Sequence, residues 1–395
     1  MENKKYSILI VGINCYFGHV KEFLINLKKK NPLVDITLIV SPVPDEVSRE
    51  LSEYVSRLVV HKTYSSKLVP HLIIGGMNAI LCYIAFLRLH LRSHFDIVDI
   101  HFVKPYIKYA MPIIKRMTKN VVITPWGSDI MRVESTKSID DLCKIYSQAR
   151  YVTIGKDSQL GRCAIEKFKV NPDKMVALGW GGEFFDYVQE NLNNITTEEA
   201  KERFGLQGRY VVTCGYNTQK EQRHEEIIKA IFGIKDQLPE NLTLLFPRTA
   251  VVYRERSIQK LHYNEYIKEM IRTLGLDSVF IEEHLDLPDL LKLRMATDIF
   301  VHVQATDAGS RSVMEYVLCN KKIVHGSWNK YLYLEKYKPS CYFPVEKMEN
   351  LGACIVKAYQ SQVEELPQEV RNIIMERGWN HKMILWNDFF ESVVP

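Results

Sequence analysis

The sequence predicts an α/β protein built from two doubly wound parallel sheets. Short apolar runs rich in Val and Ile alternate with longer helical patterns along the whole chain, as strands covered by helices on both faces require. A polar stretch, QENLNNITTEEAKERFGLQG, divides these runs into two series. The 395 residues suffice for two or three separate cores.

In the first series the strand candidates are YSILIVG, DITLIV, RLVVHK, FDIVDIHF, NVVITPW and RYVTIG. The last leads into a helix begun by KDSQLGRCAIEKF, where Asp157 or Ser158 can cap. VNPDKMVALGWGGEFFD predicts one further strand and a glycine-rich exit near residue 180. The second series reads RYVVTCG, LTLLFP, SVFIEE, DIFVHV and KKIVHG, with helices between. The final RGWNHKMILWNDFFESVV is a helix with no strand after it, too aromatic to stand in water. The expected domains are 1–182, 183–375, and a terminal helix over 376–395 that packs back on the first domain.

Composition narrows the function. Apolar content of 46% and charged content of 25% fit an ordinary globular protein. A net charge of +5 favours anionic ligands or an anionic membrane surface. Scattered Lys and Arg with no recognised motif argue against nucleic acid as a partner. The eight cysteines form no C-x-x-C pair, so reduced thiols and a cytoplasmic location are expected. MENKKYSILIVG lacks a signal-peptide core. Residues 68–87 carry no formal charge and approach the roughly 20 needed to span a bilayer, but Pro70, Gly75, Gly76 and Asn78 weaken a spanning helix. A buried helix, or one whose apolar face touches a membrane, is expected instead. KYAMPIIKRMTK sets Lys108, Lys115, Arg116 and Lys119 beside apolar residues. Residues 68–92 and 105–119 are therefore candidate contacts with the inner face of the plasma membrane; a core helix with a solvated basic face is the open alternative.

Ligands of open α/β sheets bind beyond the carboxyl ends of the strands. The informative loops are GINCYFGH (12–19), HFVKPY (101–106), PWGSDIMR (125–132), GYNTQKEQRH (215–224), PRTAVVYRER (247–256), EEHLD (282–286) and TDAGSRS (306–312). Gly12 and Gly18 are six apart with bulky residues between, so the dinucleotide fingerprint is absent. Walker A, H-E-x-x-H, cysteine-rich zinc and G-x-S-x-G patterns are absent too, as is any D-x-D that would hold a diphosphate through a metal. No metal or cofactor is expected. TDAGSRSVMEY offers a helix start at Ser310, whose amides and dipole suit a phosphate. Gly309 permits close approach, and Ser310 and Ser312 can cap or donate. Glu315 and Asp307 can accept from hydroxyl groups. A plain N-cap with two solvated acids is the alternative.

This arrangement resembles the retaining GT-B glycosyltransferases of glycosyltransferase family 4. Their signature is two glutamates separated by seven residues; here Asp307 and Glu315 flank AGSRSVM. LPDLLKLRMATDIFVHVQ and EYVLCNKKIV match the surroundings, FDIVDIH resembles the strand ending in histidine, and TPWGSD resembles the family's HG-x-D passage. There is a fainter likeness to lipid-linked N-acetylfucosaminyl transferases in GYN…H and FPRT…YNEYI. The resemblance implies two Rossmann-like domains facing across a cleft and transfer of a sugar from a nucleotide sugar to a saccharide or lipid-linked acceptor. It further implies retention of configuration without a metal, in bacterial surface polysaccharide or glycolipid synthesis. His101, Asp307 and Arg248 would be catalytic. Gly12, Gly18, Asn217, Lys220, Arg223, Arg248, Gly309, Ser310, Arg311, Ser312 and Glu315 would bind the nucleotide sugar, with main-chain atoms of Glu283, His284 and Leu285 near the base. Gly127 and Asp129 would lie on the acceptor side. No Arg stands beside Gly215, where the family places a phosphate-gripping pair, so Lys220, Arg223 and Arg248 are the replacements. A satisfied core histidine at His101 and a turn-capping Asp129 remain alternatives. The competing functional class is a catalytically silent subunit that keeps the fold to recruit a partner.

Overall fold

The computed structural model describes residues 4–13, 17–61, 71–217, 219–247, 256–307 and 309–394. Arg248 and the start of the apolar stretch, 68–70, lie outside them. The chain divides into two compact units: Met1–Gly181 with Trp379–Pro395, and Gly182–Gly378.

Unit 1 holds β1 (Ser7–Gly12), β2 (Asp35–Val40), β3 (Arg57–Val60), β4 (Ile97–His101), β5 (Val121–Thr124) and β6 (Tyr151–Val152) in the order β3-β2-β1-β4-β5-β6. All these pairings are parallel. Strand alternation splits β1 between two cores. Ile8 and Ile10 pack with Phe23, Leu27, Trp386 and Phe390, while Leu9 and Val11 pack with Phe86, Ile107 and Ile145. The aromatic terminal helix, Trp379–Val393, thus completes one face of sheet 1.

Unit 2 repeats the plan with β7 (Tyr210–Cys214), β8 (Leu242–Pro247), β9 (Ser278–Ile281), β10 (Ile299–His302), β11 (Lys322–Gly326) and β12 (Tyr342–Val345), ordered β12-β11-β10-β7-β8-β9. Val212, Leu244 and Val301 meet Ile227, Ile231 and Ile355 on one face; Phe300 and Ile323 meet Val313, Val317 and Ile374 on the other. Each sheet is a Rossmann order with its reversal beside the first strand, between β1 and β4 and between β7 and β10. That reversal opens the crevice where such sheets take ligands.

Two sequence expectations need correction. The strand expected in VNPDKMVALG is only a single bridge, Met175 to Val152, because β6 is two residues long and offers little to pair with. β12 was not foreseen: CYFPVEK is short and carries Pro344, which an edge strand tolerates. Local chemistry otherwise behaves as read. Ser158 caps helix Gln159–Phe168 through the Gly161 amide at 2.9 Å, and Thr196 with Glu199 forms a reciprocal capping box for Thr197–Arg203.

The apolar stretch forms helix His71–His90, and among the described residues no helix is long and apolar enough to cross a membrane. Cys82, Phe86 and Leu89 of this helix are buried, whereas Met77, Ile80, Tyr83, Ile84 and nearby Leu91 are exposed. Arg88, Arg92, Lys115, Arg116 and Lys119 are exposed as well.

Candidate functional site

The richest arrangement in unit 2 surrounds the end of β10. Three loops, following β7, β10 and β11, are stitched together through Gln304 and Asn329. Gln304 Oε1 accepts from Tyr216 Oη at 2.9 Å and Gln222 Nε2 at 2.6 Å, and its carbonyl accepts from Trp328 Nε1 and Asn329 Nδ2 at 2.8 and 2.7 Å. Asn329 Oδ1 in turn accepts from the Asp307 amide at 2.9 Å. Gly215, at φ +65°, opens the β7 loop; a Cβ there would lie 2.8 Å from Gln222 Oε1 and 3.1 Å from His224 Nε2. Arg223, itself left-handed at φ +60°, lays its guanidinium over Trp328, 5.3 Å from the ring centroid. Lys220 is exposed on the same turn, and Asn217 closes an Asx turn onto the Gln219 amide at 2.9 Å. The Ala305 amide joins the Glu221 carbonyl at 3.3 Å. The β7 loop that carries Lys220 and Arg223 is thereby tied to the loop that carries Asp307.

Gly309, at φ +95°, turns the chain into helix Arg311–Leu318, whose Ser310 N-cap makes no side-chain cap. The Ser310 amide instead donates to Asp307 Oδ2 at 3.2 Å and Tyr331 Oη at 2.7 Å, and Tyr331 Oη also donates to Asp307 Oδ2. Asp307 is therefore a buried clasp for the helix entrance rather than the solvated acid of the alternative. Arg311 runs beside Gly182, where an added Cβ would stand 3.1 Å from its side chain. Ser312 is the second residue of that helix.

Glu315 differs from its expected role. One carboxylate oxygen accepts from Arg294 Nε at 3.0 Å and Nη2 at 2.7 Å, and both side chains are buried. Arg294 also donates to Tyr316 Oη at 2.9 Å and lies 4.4 Å from that ring. The buried guanidinium needs a counter-charge, and Glu315 supplies it; no pattern in helix Leu287–Ala296 signals that Arg294 points inward. Glu283 pairs with Arg203 at 2.8 Å, His284 is exposed, and Leu285 is buried in an apolar cluster beyond β9. β9 is the far edge of the sheet, so this segment stands apart from the β10 loop. Between them, a small recess at the ends of β7–β9 is lined by Asn217, His224, Phe246, Tyr263 and Phe280, with Phe246 and Phe280 stacked at 4.9 Å.

Sequence reasoning missed a histidine stack beneath Asp307. His302 ends β10 and His325 lies opposite it on β11, their rings 5.3 Å apart and 5° from parallel. Tyr216 stacks on His302, and Tyr331 meets His325 edge-on at 4.9 Å. Both imidazoles are wholly buried, no ring nitrogen has a hydrogen-bond partner among the described residues, and burial pushes each down to about 3. His302 Nε2 stands 3.5 Å from Asp307 Oδ2. The matching VHV and VHG strand endings were the available signal.

In unit 1, β4 ends at His101. Its Nε2 meets Asp99 Oδ2 at 3.0 Å, and Asp99 Oδ1 accepts from Thr124 at 2.6 Å. Phe102 follows at φ +51°, a left-handed conformation rarely taken by a bulky residue. Asp129 does not face an acceptor: it is buried and accepts from the Trp126 and Gly127 amides, both at 2.9 Å, and from the Val103 amide at 3.2 Å. Burial still raises its carboxyl to about 6 against these three bonds. Gly127, at φ +109°, makes that turn possible. Gly12 ends β1, where an added Cβ would meet Leu38 and Val20 at 3.6 Å, and Gly18 lies in the first turn of helix Phe17–Lys30. Gly12, Gly18 and His101 thus belong to unit 1, and the other described nucleotide-site residues to unit 2.

No family model matches the chain, and no curated protein matches it in sequence. Solved structures do. A glycosyltransferase from Rickettsia africae ESF-5 superposes with a TM-score of 0.69 at 16% identity, covering 99% of each chain. Anabaena HepE in complex with UDP gives 0.65 at 16% identity, over 98% of this chain and 100% of that one. Sucrose-phosphate synthase from Thermosynechococcus elongatus gives 0.67 at 11% identity, over 98% and 99%. With two six-stranded parallel sheets of one order, the chain has the GT-B type of α/β fold.

Proposed function

We propose that the protein is a glycosyltransferase that moves a sugar from a nucleotide sugar to a saccharide or lipid-linked saccharide. The observation that carries this reading is the three-loop platform at the reversal point of sheet 2. There a glycine turn leads into a helix start, and the loop before it is bonded at Ala305 to the turn that carries Lys220 and Arg223. Departure of a nucleoside diphosphate builds negative charge on its terminal phosphate. Helix-end amides and fixed cations lower that barrier without reorganising, because they are oriented before the reaction begins. Asp307 contributes by holding the Ser310 turn. Similar folds whose structures hold UDP or UDP-glucose support the choice of donor class.

The finer reading is a retaining, metal-independent transfer in surface polysaccharide or glycolipid synthesis. Its setting is the cytoplasmic face of a membrane. The exposed stripe Met77, Ile80, Ile84 and Leu91, together with exposed Arg88, Arg92, Lys115 and Arg116, suits an anionic bilayer surface. The test is thermal stabilisation by a panel of nucleotide sugars with and without chelator, followed by product detection. One nucleotide sugar should raise the midpoint, and Lys220→Ala with Arg223→Ala should abolish that rise. Absence of stabilisation by every nucleotide sugar rejects the reading.

A further inference from the structure

The three-loop platform lies at the carboxyl ends of β7, β10 and β11, and the amino edge of the same sheet carries a second concavity. An open groove of about 490 Å³ is lined by the residues that enter β10 and β11 and by the chain leaving helix Leu351–Gln360. That volume falls within the range of small-molecule sites. Of the described lining, Val363 alone is apolar.

The groove holds more positive charge than it balances. Lys321 and Lys322 both line it. Lys322 Nζ donates to the Tyr359 carbonyl at 3.1 Å, and among the described residues no hydrogen bond or ion pair engages the Lys321 ammonium. Asp298, the carboxylate of the lining, is already committed: its Oδ2 accepts from the Val211 amide at 2.7 Å and from Lys201 Nζ at 2.8 Å. Glu198 also acts on Lys321, but it is exposed and screened by water. Burial holds Lys321 and Lys322 below the usual lysine range, as it does for ammonium groups short of compensating charge.

An unpartnered lysine ordinarily carries its charge out into water on its long stem, whereas Lys321 is half-buried. The turn before it is fixed. Asn320, left-handed at φ +53°, donates through Nδ2 to the Glu364 carbonyl at 2.9 Å, and the Lys321 amide returns to the Tyr316 carbonyl at 3.0 Å. The cation is thus set in place before any ligand arrives.

The chemistry of the lining selects the ligand. An anion supplies the charge that the two lysines lack. Gln362 offers an amide, and Ser361 Oγ, which donates to the Lys357 carbonyl at 2.7 Å, can accept from a hydroxyl group. No aromatic ring stands among the described lining residues, so a nucleobase has nothing to stack on. We infer that this groove is a second binding site, in which Lys321 and Lys322 hold a small hydroxylated anion by its phosphate or carboxylate. Reactants of open α/β sheets enter at the carboxyl ends, so a ligand here is an effector of the protein.

The experiment is calorimetric titration of the full chain with glycerol phosphate, gluconate and, as the neutral control, sorbitol. At least one anion should bind and sorbitol should not; the tighter anion identifies the recognised group as phosphate or carboxylate. Lys321→Gln keeps most of the stem and removes the charge, and should weaken binding about tenfold. Lys321→Arg should retain it. Lys322→Gln should weaken it too, and carries the test if circular dichroism shows Lys321→Gln unfolded. Lys220→Ala with Arg223→Ala should leave binding unchanged, because those cations belong to the opposite edge of the sheet. Binding by neither anion overturns the inference, and so does equal binding of sorbitol. It is also overturned if the Lys220 and Arg223 variant loses the anion while Lys321→Gln keeps it, since the anion would then occupy the donor platform.

Discussion

The fourth strand of each sheet ends in a histidine, and the two histidines live under different rules. Two residues before His101 stands Asp99; two residues before His302 stands Phe300. Because alternate residues share a strand face, the first imidazole meets a buried carboxylate and the second an aromatic ring. His101 therefore has one nitrogen assigned, while its Nδ1 is sealed from solvent with no hydrogen-bond partner among the described residues. His302 has neither nitrogen assigned and is held neutral by burial, with Asp307 at 3.5 Å as the nearest charge. One scaffold position, two residues upstream, decides whether the strand end presents a directed polar group or a mute ring.

The largest expected effect comes from the charge that unit 2 does bury. Glu315→Ala strands the Arg294 guanidinium, and such losses run to about 3–5 kcal/mol in denaturant unfolding. A cost below about 1 kcal/mol would mean the pair is solvated. Acid should separate the units next. His302 and His325 fall from about 6.5 to about 3 on folding, so the stability they allow is complete above pH 6.5 and declines as pH falls below it. Moving from pH 7 to pH 5 should cost unit 2 about 2 kcal/mol for each imidazole. Asp129 works in the opposite sense in unit 1. Its folded value of about 6 exceeds the unfolded 3.8, so its contribution is complete below 3.8 and is lost as pH rises through 6. An unfolding midpoint for unit 2 that does not fall at pH 5 would break the comparison.

Asp99→Asn makes His101 more like His302 and should cost about 1–3 kcal/mol, with the imidazole ¹⁵N shifts moving toward a mixture of tautomers. Unchanged shifts would show that Asp99 does not assign the proton. The smallest effects calibrate the rest. Ser158→Ala in unit 1 and Thr196→Ala in unit 2 each remove an N-cap and should cost about 1 kcal/mol, lowering only the transition of the unit that contains them.

The alternation of strands and helices was legible because parallel strands are apolar along their whole length, and both sheets follow from it. β12 escaped because Pro344 masks an edge strand, and a strand was over-assigned around Met175 because an apolar run does not reveal whether a neighbour is long enough to pair. Loop positions were legible, but the bond between the Ala305 amide and the Glu221 carbonyl that joins the Lys220–Arg223 turn to the Asp307 loop was not. Side-chain partners were not. Arg294, Asn329, Tyr331 and Trp180 come from other segments, and nothing near Asp307, Glu315 or His101 in the chain announces them. Asp129 looked like a ligand group because a carboxylate after Gly-Ser suits both a turn and a substrate; only its three amide partners separate the two.

Unit 2 interrupts unit 1 in the chain, and this bears on how the protein is made. Trp386 and Phe390, which close one face of sheet 1, leave the ribosome only after all of Gly182–Gly378 has been synthesised. The later-encoded half can thus reach its native form while the earlier one still waits for its closing helix. During that interval the apolar surface of Phe23, Leu27 and Ile10 lies bare, and that face is where a chaperone would find its client.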